Sequence, residues 1–275
     1  MNSETEVAAH YTTGRVHQAI LQGLAAAGKD MARLTRDDLA GVDEFHVGGT
    51  EATKELAAQM SLRPLMRLLD VGCGIGGPAR YFAAMHGCRV DGIDLTEEFV
   101  NVAGNLSQLV NLSHLVAFQK ASALDLPFEP GTFDGAYMIH VGMNIPDKSG
   151  VYREVRRVLK PGSVLVIFDI LRLNNAPIRF PVPWALHAET SFVGDAANYR
   201  TALTQAGFRV EKERNRAAFG IEFTERAMAR IGESGPPALG LHLLMGEKTP
   251  LMLKNVLTMM REGVLAPVEF YARAE

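Results

Sequence analysis

Short runs of apolar residues alternate with stretches of helical periodicity from Leu68 to about Ala274. This alternation is typical of a mostly parallel sheet that is covered by helices. The apolar runs predict seven strands, at Arg67–Val71, Arg89–Ile93, Val116–Lys120, Phe133–Ile139, Ser163–Asp169, Phe208–Glu213 and Val268–Ala272. The pattern therefore predicts an α/β fold.

Helical periodicity fills the spaces between most of these strands. It predicts helices at Pro78–Met85, Thr96–Leu109, Lys148–Leu159 and Asp195–Gln205. Lys160-Pro161-Gly162 follows the third helix and Gly207 follows the fourth, and both are typical helix terminators.

Three segments lie outside the alternation: residues 1–60 and 218–263 have helical patterns, and residues 174–192 are rich in proline. Insertions at the carboxyl ends of strands can cover a pocket, although simple packing is the alternative for the first segment. We predict one domain, with the following divisions: an N-terminal helical cap (1–60), a ligand-binding core (61–172), a lid insertion (173–198), and the rest of the sheet (199–275) with a helical insertion at 218–263.

Charge and composition exclude several function classes. The chain has 275 residues, 47% of them hydrophobic, so it can bury a sizeable core. A net charge of −3 argues against a nucleic-acid-binding surface. The sequence has no apolar run of about 18 residues, so no membrane span or membrane partner is expected. Met1–Thr13 is polar and acidic, unlike a signal peptide.

The two cysteines point to a reducing compartment. Cys73 and Cys88 lack the spacing of metal ligands, and Cys73 lies inside a glycine-rich loop. A disulfide framework is therefore not expected, and a cytoplasmic location fits. No metal site is predicted, because Asp169 has no convincing set of partner ligands.

The most informative segment is residues 68–78, which read LLDVGCGIGGP. Glycines there allow close approach of a ligand to the backbone, and the following helix offers unpaired N–H groups. The loop satisfies both G-x-G-x-x-G (Gly72, Gly74, Gly77) and G-x-G-x-G, which ends at Gly76. The first pattern is the dinucleotide fingerprint, so glycine spacing alone does not identify the ligand.

Two carboxylates narrow the choice of ligand. Asp70 lies two residues before Gly72, where it would repel a pyrophosphate and suit a cationic group. Asp94 ends the second strand, about 20 residues past the loop, where it can accept hydrogen bonds from both hydroxyls of a ribose. Asp94 fits either ligand, although it is also placed to cap the helix that begins near Thr96.

Residues 70–77, together with Asp94, resemble the class I S-adenosylmethionine-dependent methyltransferases. The resemblance extends over residues 65–170 and includes the segments Leu124–Phe128, Phe133-Asp134 and Arg157–Gly162. It implies a three-layer, Rossmann-like sheet of seven strands, in which an antiparallel last strand lies between its two predecessors. It also implies S-adenosylmethionine as cofactor and S-adenosylhomocysteine as product.

Within this family, the chain is similar to the small-molecule C-, N- and O-methyltransferases that include sarcosine/dimethylglycine, tocopherol and quinone-biosynthesis enzymes. Asp43–Gly49 resembles a segment of that group that helps to close over the cofactor. Leu241–Gly246 and Asn255–Gly263 resemble its C-terminal region. A small, partly apolar methyl acceptor is therefore expected.

The resemblance assigns cofactor-binding roles to a set of residues. The loop backbone would approach the methionine moiety, Asp70 its amino group, and Asp94 the ribose; Leu95 would pack beside the adenine. Ser122 and Ala123 would meet the adenine amino group, where the family usually has Asp. The residues implied are Asp70, Gly72, Cys73, Gly74, Gly76, Asp94, Leu95, Ser122, Ala123, His140 and His46.

The resemblance places His140 where the sulfonium methyl group meets the substrate. Methyl transfer needs a base only if the acceptor must lose a proton, and histidine titrates near neutrality. His140 is therefore the candidate catalytic residue, and the alternative is that it only shapes the pocket. Asn144 occupies a position where many relatives have His. His46 is expected either to bind the cofactor carboxylate or to cap its loop.

Residues outside the core could contribute to the acceptor pocket or simply pack. Tyr11 could reach in from the N-terminal helix, although packing is the alternative. The inserted segments offer five further candidates, Trp184, His187, Phe192, His242 and Met245.

Other functions stay open on the sequence alone. An NAD(P)-dependent oxidoreductase could use the same loop, and a non-catalytic protein could bind S-adenosylmethionine. Nucleic-acid base methylation is not expected, because residues 139–144 lack a Pro-Pro-aromatic run. The atom that is methylated, and the choice between monomer and homodimer, are left open.

Overall fold

The computed structural model describes residues 3–275. Within them, seven strands form one sheet in the order β3-β2-β1-β4-β5-β7-β6. The strands are β1 (Arg67–Val71), β2 (Arg89–Asp94), β3 (Val116–Lys120), β4 (Phe133–Ile139), β5 (Leu159–Arg172), β6 (Phe208–Asn215) and β7 (Leu265–Ala274). Strands β1 to β5 pair in parallel, whereas β7 is antiparallel to both β5 and β6. The predicted α/β class and the placement of the last strand are confirmed.

Helices cover both faces of the sheet and also precede and interrupt it. They are α1 (Ser3–Tyr11), α2 (Val16–Ala26), α3 (Ala40–Asp43), α4 (Gly49–Ala58), α5 (Gly77–His86), α6 (Glu97–Leu109), α7 (Lys148–Val158), α8 (Ala196–Gln205), α9 (Ala217–Ser234), α10 (His242–Met245) and α11 (Thr249–Arg261). None of the helices within residues 3–275 is both long enough and apolar enough to cross a membrane.

The core forms two layers because side chains alternate along each strand. On β4, Met138 packs with the cluster of α7 and α8, which includes Tyr199, while the adjacent Tyr137 packs with the cluster of α4 and α5. Tyr137 stacks on Phe82 of α5, with ring centroids 4.4 Å apart. The sheet therefore lies between two helical layers, as the period of two in a strand requires.

Four strands, β2, β5, β6 and β7, are longer than predicted, and two of them begin earlier. Strand β5 begins at Leu159 instead of Ser163, because Lys160-Pro161-Gly162 ends the helix and continues directly into extended backbone. Strand β7 begins at Leu265 and includes Pro267. Proline lacks an N–H and is therefore unfavourable inside a strand, so the sequence pattern favours a later start. The pairing of β5 with β4 shifts register between Phe133 and Gly135.

The N-terminal helices pack on the core next to the glycine-rich loop. Ile20 and Leu24 of α2 are fully buried in one apolar cluster with Leu106 of α6. Each such side chain contributes about 1.5–3 kcal/mol on burial. The carboxylate of Glu98 on α6 also accepts three backbone N–H groups between α1 and α2, at 2.7–2.9 Å.

A second connection joins α3 to α5. Asp43 forms an ion pair with Arg80 over 2.6 Å, and both side chains are buried. The backbones of α3 and α5 also pack closely at Gly77, since a Cβ at that residue would lie 1.7 Å from the Asp43 carbonyl oxygen. Arg80 Nη2 also donates to the Ile75 carbonyl oxygen at 2.7 Å. The start of α5 therefore requires glycine at position 77 for the cap to sit where it does.

The insertions differ in regularity. Residues 174–192 contain one short 3-10 helix, at Ala188–Thr190, and Trp184 in this segment is 2% exposed. The later insertion is helical, as α9, α10 and α11. The division of the chain into one domain with a cap and two insertions stays a prediction.

Candidate active site

A cavity of about 220 Å³ opens at the carboxyl ends of β1, β2 and β4. Its wall combines the loop after β1, the end of β2, the segment after β4, and residues from the N-terminal cap. The residues that line it include Glu4, Tyr11, Asp43, Phe45, His46, Asp70, Gly72, Cys73, Gly74, Asp94, Leu95, Thr96, Phe99, Ala123, His140, Asn144 and Ile145. Nine of the eleven predicted binding residues meet in this cavity, and Gly76 and Ser122 do not line it.

The loop after β1 exposes its backbone to the cavity at Gly74. This residue has φ +52°, and no atom lies within 4 Å of the position that a Cβ would occupy. A side chain there would extend into the cavity and would also be strained by the left-handed backbone, which favours glycine. Gly76 serves a different purpose, because it is the N-cap of α5, next to Phe118 and Arg80.

Asp70 brings an unsatisfied acid to the cavity. Its side chain is 2% exposed, and its Oδ2 atom has no hydrogen-bond partner within the described residues. Burial raises the pKa of Asp70 to about 8; the neighbouring Tyr137 hydroxyl lowers it in part, and the nearby Asp94 and Glu44 raise it further. A buried carboxylate of this kind is stabilised by a cationic partner, so the site fits the ammonium group of S-adenosylmethionine.

Asp94 contacts the backbone near the start of α6, and its predicted role in binding a ribose stays a prediction. Its Oδ1 accepts the Thr96 N–H at 2.8 Å, which is the contact near the start of the helix, and its Oδ2 accepts the Gly74 N–H at 2.9 Å. Each oxygen keeps a second lone pair, so the carboxylate can still accept two hydroxyl groups from the cavity side. Burial raises the pKa of Asp94.

The end of β3 differs from the expected arrangement. Ala123 lines the cavity, whereas the Ser122 hydroxyl donates to Glu4 Oε1 at 2.5 Å and accepts the Leu124 N–H at 3.0 Å. Glu4 itself lines the cavity from α1. A carboxylate therefore lies beside the end of β3, but it belongs to a residue 118 positions away in the chain.

His140 lies on the cavity wall with its Nε2 atom buried and without a hydrogen-bond partner in the described chain. Burial lowers its pKa well below the usual value, and the neighbouring His46 ring, 5.8 Å away, lowers it further. The imidazole is therefore neutral at neutral pH. A neutral imidazole with a free nitrogen can bind, or accept a proton from, a ligand group.

The backbone at His140 is held by Asp169, whose importance the sequence did not reveal. His140 has φ +55°, and the next two N–H groups, of Val141 and Gly142, donate to Asp169 Oδ1 at 2.8 and 3.2 Å. Asp169 is fully buried and also accepts the Tyr199 hydroxyl at 2.9 Å. This carboxylate stabilises an unusual backbone conformation that presents His140 to the cavity.

His46 caps its own loop, which was one of its two predicted roles. Its Nε2 lies 3.2 Å from the Gly49 carbonyl oxygen, which assigns the proton to Nε2, and 3.2 Å from the Thr53 hydroxyl. Burial lowers the pKa of His46 to about 4. The ring also lines the cavity, so the second role, a contact with the cofactor, stays a prediction.

Three aromatic side chains that are far apart in the sequence meet at the cavity. Tyr11 lies with its ring centroid 6.2 Å from that of Phe45 and 5.7 Å from that of Phe99, and its hydroxyl donates to Asn144 Oδ1 at 3.1 Å. Apolar residues at helix spacing predicted that these helices pack, but no local pattern identified which side chains face a ligand.

The candidates in the insertions do not line the cavity. Trp184 is buried, and its carbonyl oxygen accepts a hydrogen bond from Asn144 Nδ2 at 2.8 Å. Met245 packs with the cluster of α2 and α6. None of the five inserted residues named above belongs to the cavity wall.

Comparisons with known proteins identify the central part of the chain. Residues 69–167 match a family model described as "Methyltransferase domain". A sterol 24-C-methyltransferase from Gibberella zeae is 38% identical over 116 residues, which is 42% of this chain and 30% of that protein. The methyltransferase phqN from Penicillium fellutanum is 37% identical over 161 residues, covering 56% of this chain and 49% of that protein. The chain thus spans less than half the length of these curated relatives.

Solved structures extend the similarity of fold over most of the chain. A putative sarcosine dimethylglycine methyltransferase from Galdieria sulphuraria has a TM-score of 0.70 and 20% identity, over 82% of this chain and 85% of that chain. Geranyl diphosphate C-methyltransferase from Streptomyces coelicolor has a TM-score of 0.67 and 19% identity, over 82% and 76%. The [4+2]-cyclase SpnF has a TM-score of 0.65 and 23% identity, over 81% and 80%.

These matches confirm the resemblance drawn from the sequence. The fold is that of the class I methyltransferases. Residues 69–167, which include the glycine-rich loop, Asp94 and His140, are the part of the chain that matches the methyltransferase family model.

Proposed function

We propose that this protein is an S-adenosylmethionine-dependent methyltransferase that acts on a small, partly apolar molecule. The observation that carries the proposal is the buried Asp70 carboxylate, which lies without a hydrogen-bond partner for Oδ2 beside a glycine-rich backbone and next to Asp94. This combination suits a nucleoside with a cationic amino acid tail. The methyltransferase domain match over residues 69–167 supports it.

In this proposal, Asp70 binds the cofactor ammonium group and Asp94 binds the ribose hydroxyls. The backbone of Gly72–Gly74, which includes Cys73, approaches the methionine moiety, while Leu95 and Ala123 pack beside the adenine. When bound, the cofactor supplies a methyl group on a positively charged sulfur. The protein aligns the acceptor and excludes water.

His140 is proposed as the residue that meets the acceptor. Its neutral imidazole can receive the proton of an acceptor that must lose one, at the buried Nε2 atom. Asp169 holds the backbone directly after His140, because its carboxylate accepts the N–H groups of Val141 and Gly142. For an acceptor without such a proton, His140 serves to shape the pocket.

The two alternative functions differ in what they require of the cavity. An NAD(P)-dependent oxidoreductase would place a pyrophosphate near the Asp70 carboxylate, which would repel it when ionised. A non-catalytic protein that binds S-adenosylmethionine is the second alternative, because one fold can carry different functions, as the similar fold of the [4+2]-cyclase SpnF illustrates. The cytoplasmic location stays a prediction, based on the free cysteines at positions 73 and 88.

Calorimetry followed by a transfer assay tests the proposal. We expect S-adenosylhomocysteine to bind and NAD not to bind, and we expect methyl-labelled S-adenosylmethionine to label at least one member of a panel of amines, phenols and quinones. Binding of NAD alone would overturn the proposal. Binding of S-adenosylhomocysteine without transfer to any acceptor would favour the non-catalytic alternative.

A further inference from the structure

The cavity wall has several acidic side chains but, among the described residues, no basic one. Four acids line it, Glu4, Asp43, Asp70 and Asp94, whereas none of its described lining residues is Lys or Arg. Asp43 is paired with Arg80, which lies behind the wall. Neither Asp70 nor Asp94 takes part in an ion pair within residues 3–275.

The two histidines of the wall do not supply a positive charge. Burial lowers the pKa of His46 to about 4 and that of His140 well below its usual value, so both rings are neutral at neutral pH. An anion in this cavity would lose its hydration without gaining a cationic side chain. Such a transfer is strongly unfavourable.

The wall around His140 is apolar and aromatic. Tyr11, Phe45 and Ile145 line this part, and the polar groups of Tyr11 and Asn144 are used by each other and by the Trp184 carbonyl oxygen. The His140 Nε2 atom, in contrast, is buried and has no partner in the described chain. A ligand with an apolar body and one hydrogen-bonding group would satisfy this atom.

We propose that the methyl acceptor is an uncharged molecule with an apolar body whose one polar group binds His140 Nε2, and that phosphorylated acceptors are excluded. This proposal rests on the methyltransferase function proposed above. It separates this chain from the structural neighbour that was solved with geranyl diphosphate and Mg²⁺. The exclusion comes from the lack of a cationic side chain on the described wall, because the fold itself accommodates both kinds of acceptor.

Two probes with the same apolar body test the charge preference. The Kd of 2-naphthol and of 2-naphthyl phosphate are measured by fluorescence at neutral pH, with the protein saturated with S-adenosylhomocysteine. We expect 2-naphthol to bind at least tenfold more tightly. Equal or tighter binding of the phosphate, or no binding of either probe, would overturn the proposal.

A charged variant makes the test specific to the cavity. Ile145→Arg adds a cation to the wall, and we expect it to reverse the preference toward the phosphate. Leu251→Arg adds the same charge on α11 at a position that is 48% exposed and outside the cavity, so the preference should not change. Thermal unfolding confirms that both variants fold. An unchanged preference in Ile145→Arg would contradict the proposal.

The outcome is separable from the outcome for the proposed function. Calorimetry with S-adenosylhomocysteine reports on cofactor binding alone. If the cofactor product does not bind, the proposed function fails. Measuring the Kd of both naphthyl probes on the protein without S-adenosylhomocysteine still shows whether the cavity wall disfavours anions.

Discussion

The two ends of the cavity are built in different ways. The end near Asp70 and Asp94 comes from two consecutive strand-loop units, and the hydrogen bond from Gly74 to Asp94 joins residues only 20 positions apart. The end near His140 joins distant parts of the chain, as in the hydrogen bond between Tyr11 and Asn144, 133 positions apart. Contacts between residues close in sequence suit the cofactor, which the whole family shares. Contacts between residues far apart in sequence can differ from one protein to the next, as the acceptor does.

The largest effect is expected from closing the local end with a side chain. Gly74→Val should abolish binding of S-adenosylhomocysteine, because the branched side chain would extend into the cavity where no atom lies within 4 Å. Calorimetry measures the binding, and thermal unfolding should show a loss of only about 1–2 kcal/mol from the left-handed backbone.

Gly131→Val is the matched control for this variant. Gly131 also has positive φ, +65°, and open space around it, but it lies outside the cavity. It should show a similar loss of stability with unchanged affinity. Unaltered affinity in Gly74→Val would show that the loop does not contact the ligand.

At the non-local end, His140→Asn should reduce kcat by about 10²–10⁴-fold if His140 is the base. Asparagine tolerates positive φ better than most residues, so the backbone at φ +55° should be kept. The affinity for S-adenosylhomocysteine should change by less than about threefold, since hydrogen bonds of the cofactor end are untouched. Turnover within threefold of the parent would instead support a role in shaping the pocket.

Asp94→Ala should weaken binding of S-adenosylhomocysteine by about 1–3 kcal/mol, because hydrogen bonds to a charged acceptor are lost. Asp91→Ala is the control on the same strand, since Asp91 pairs with Arg67 and lies outside the cavity. The comparison is made by calorimetry. A change below about fivefold in Kd for Asp94→Ala would indicate that this residue mainly supports the Thr96 and Gly74 N–H groups.

A smaller, pH-dependent effect is expected at Asp70. In the free protein its pKa is about 8, and a bound ammonium group favours the ionised form. The affinity for S-adenosylhomocysteine should therefore rise with pH up to about 8, by at most about tenfold per pH unit, and then level off. Calorimetry between pH 6 and pH 8 measures this slope.

The variant Asp70→Asn should remove most of that pH dependence. Asp134→Asn, at the opposite end of the sheet from the cavity, should keep it, because Asp134 pairs with Lys160 and does not line the site. A pH dependence that persists in Asp70→Asn would assign the proton to another group, and the pKa of about 7 of Glu44 makes it the next to test.

The sequence predicted the sheet well because its signals are local. Apolar runs and glycine terminators fixed the order of the strands and helices, and differences were confined to ends such as Leu159 and Leu265. Asp70, Gly74 and Asp94 could be named because strand ends in a parallel sheet meet at one edge.

The rest of the site depends on contacts that no sequence pattern encodes. Glu4 reaches Ser122, and Asp169 holds the backbone after His140, through tertiary packing alone. Trp184 is a residue type often found in binding pockets, but in the folded chain it packs in a separate apolar cluster with Met143. Residue type therefore indicates what a side chain can do, while its partners depend on the folded chain.

The contact at position 77 sets how closely the α3 segment approaches the start of α5. Because the Gly77 backbone touches the Asp43 carbonyl, any methyl group at that position would push the α3 segment outward and widen the gap above the first strand. Gly77, the third glycine of a pattern shared with dinucleotide-binding enzymes, thus packs against the α3 segment instead of a ligand and does not line the cavity. The spacing of the glycines alone therefore does not show which nucleotide binds.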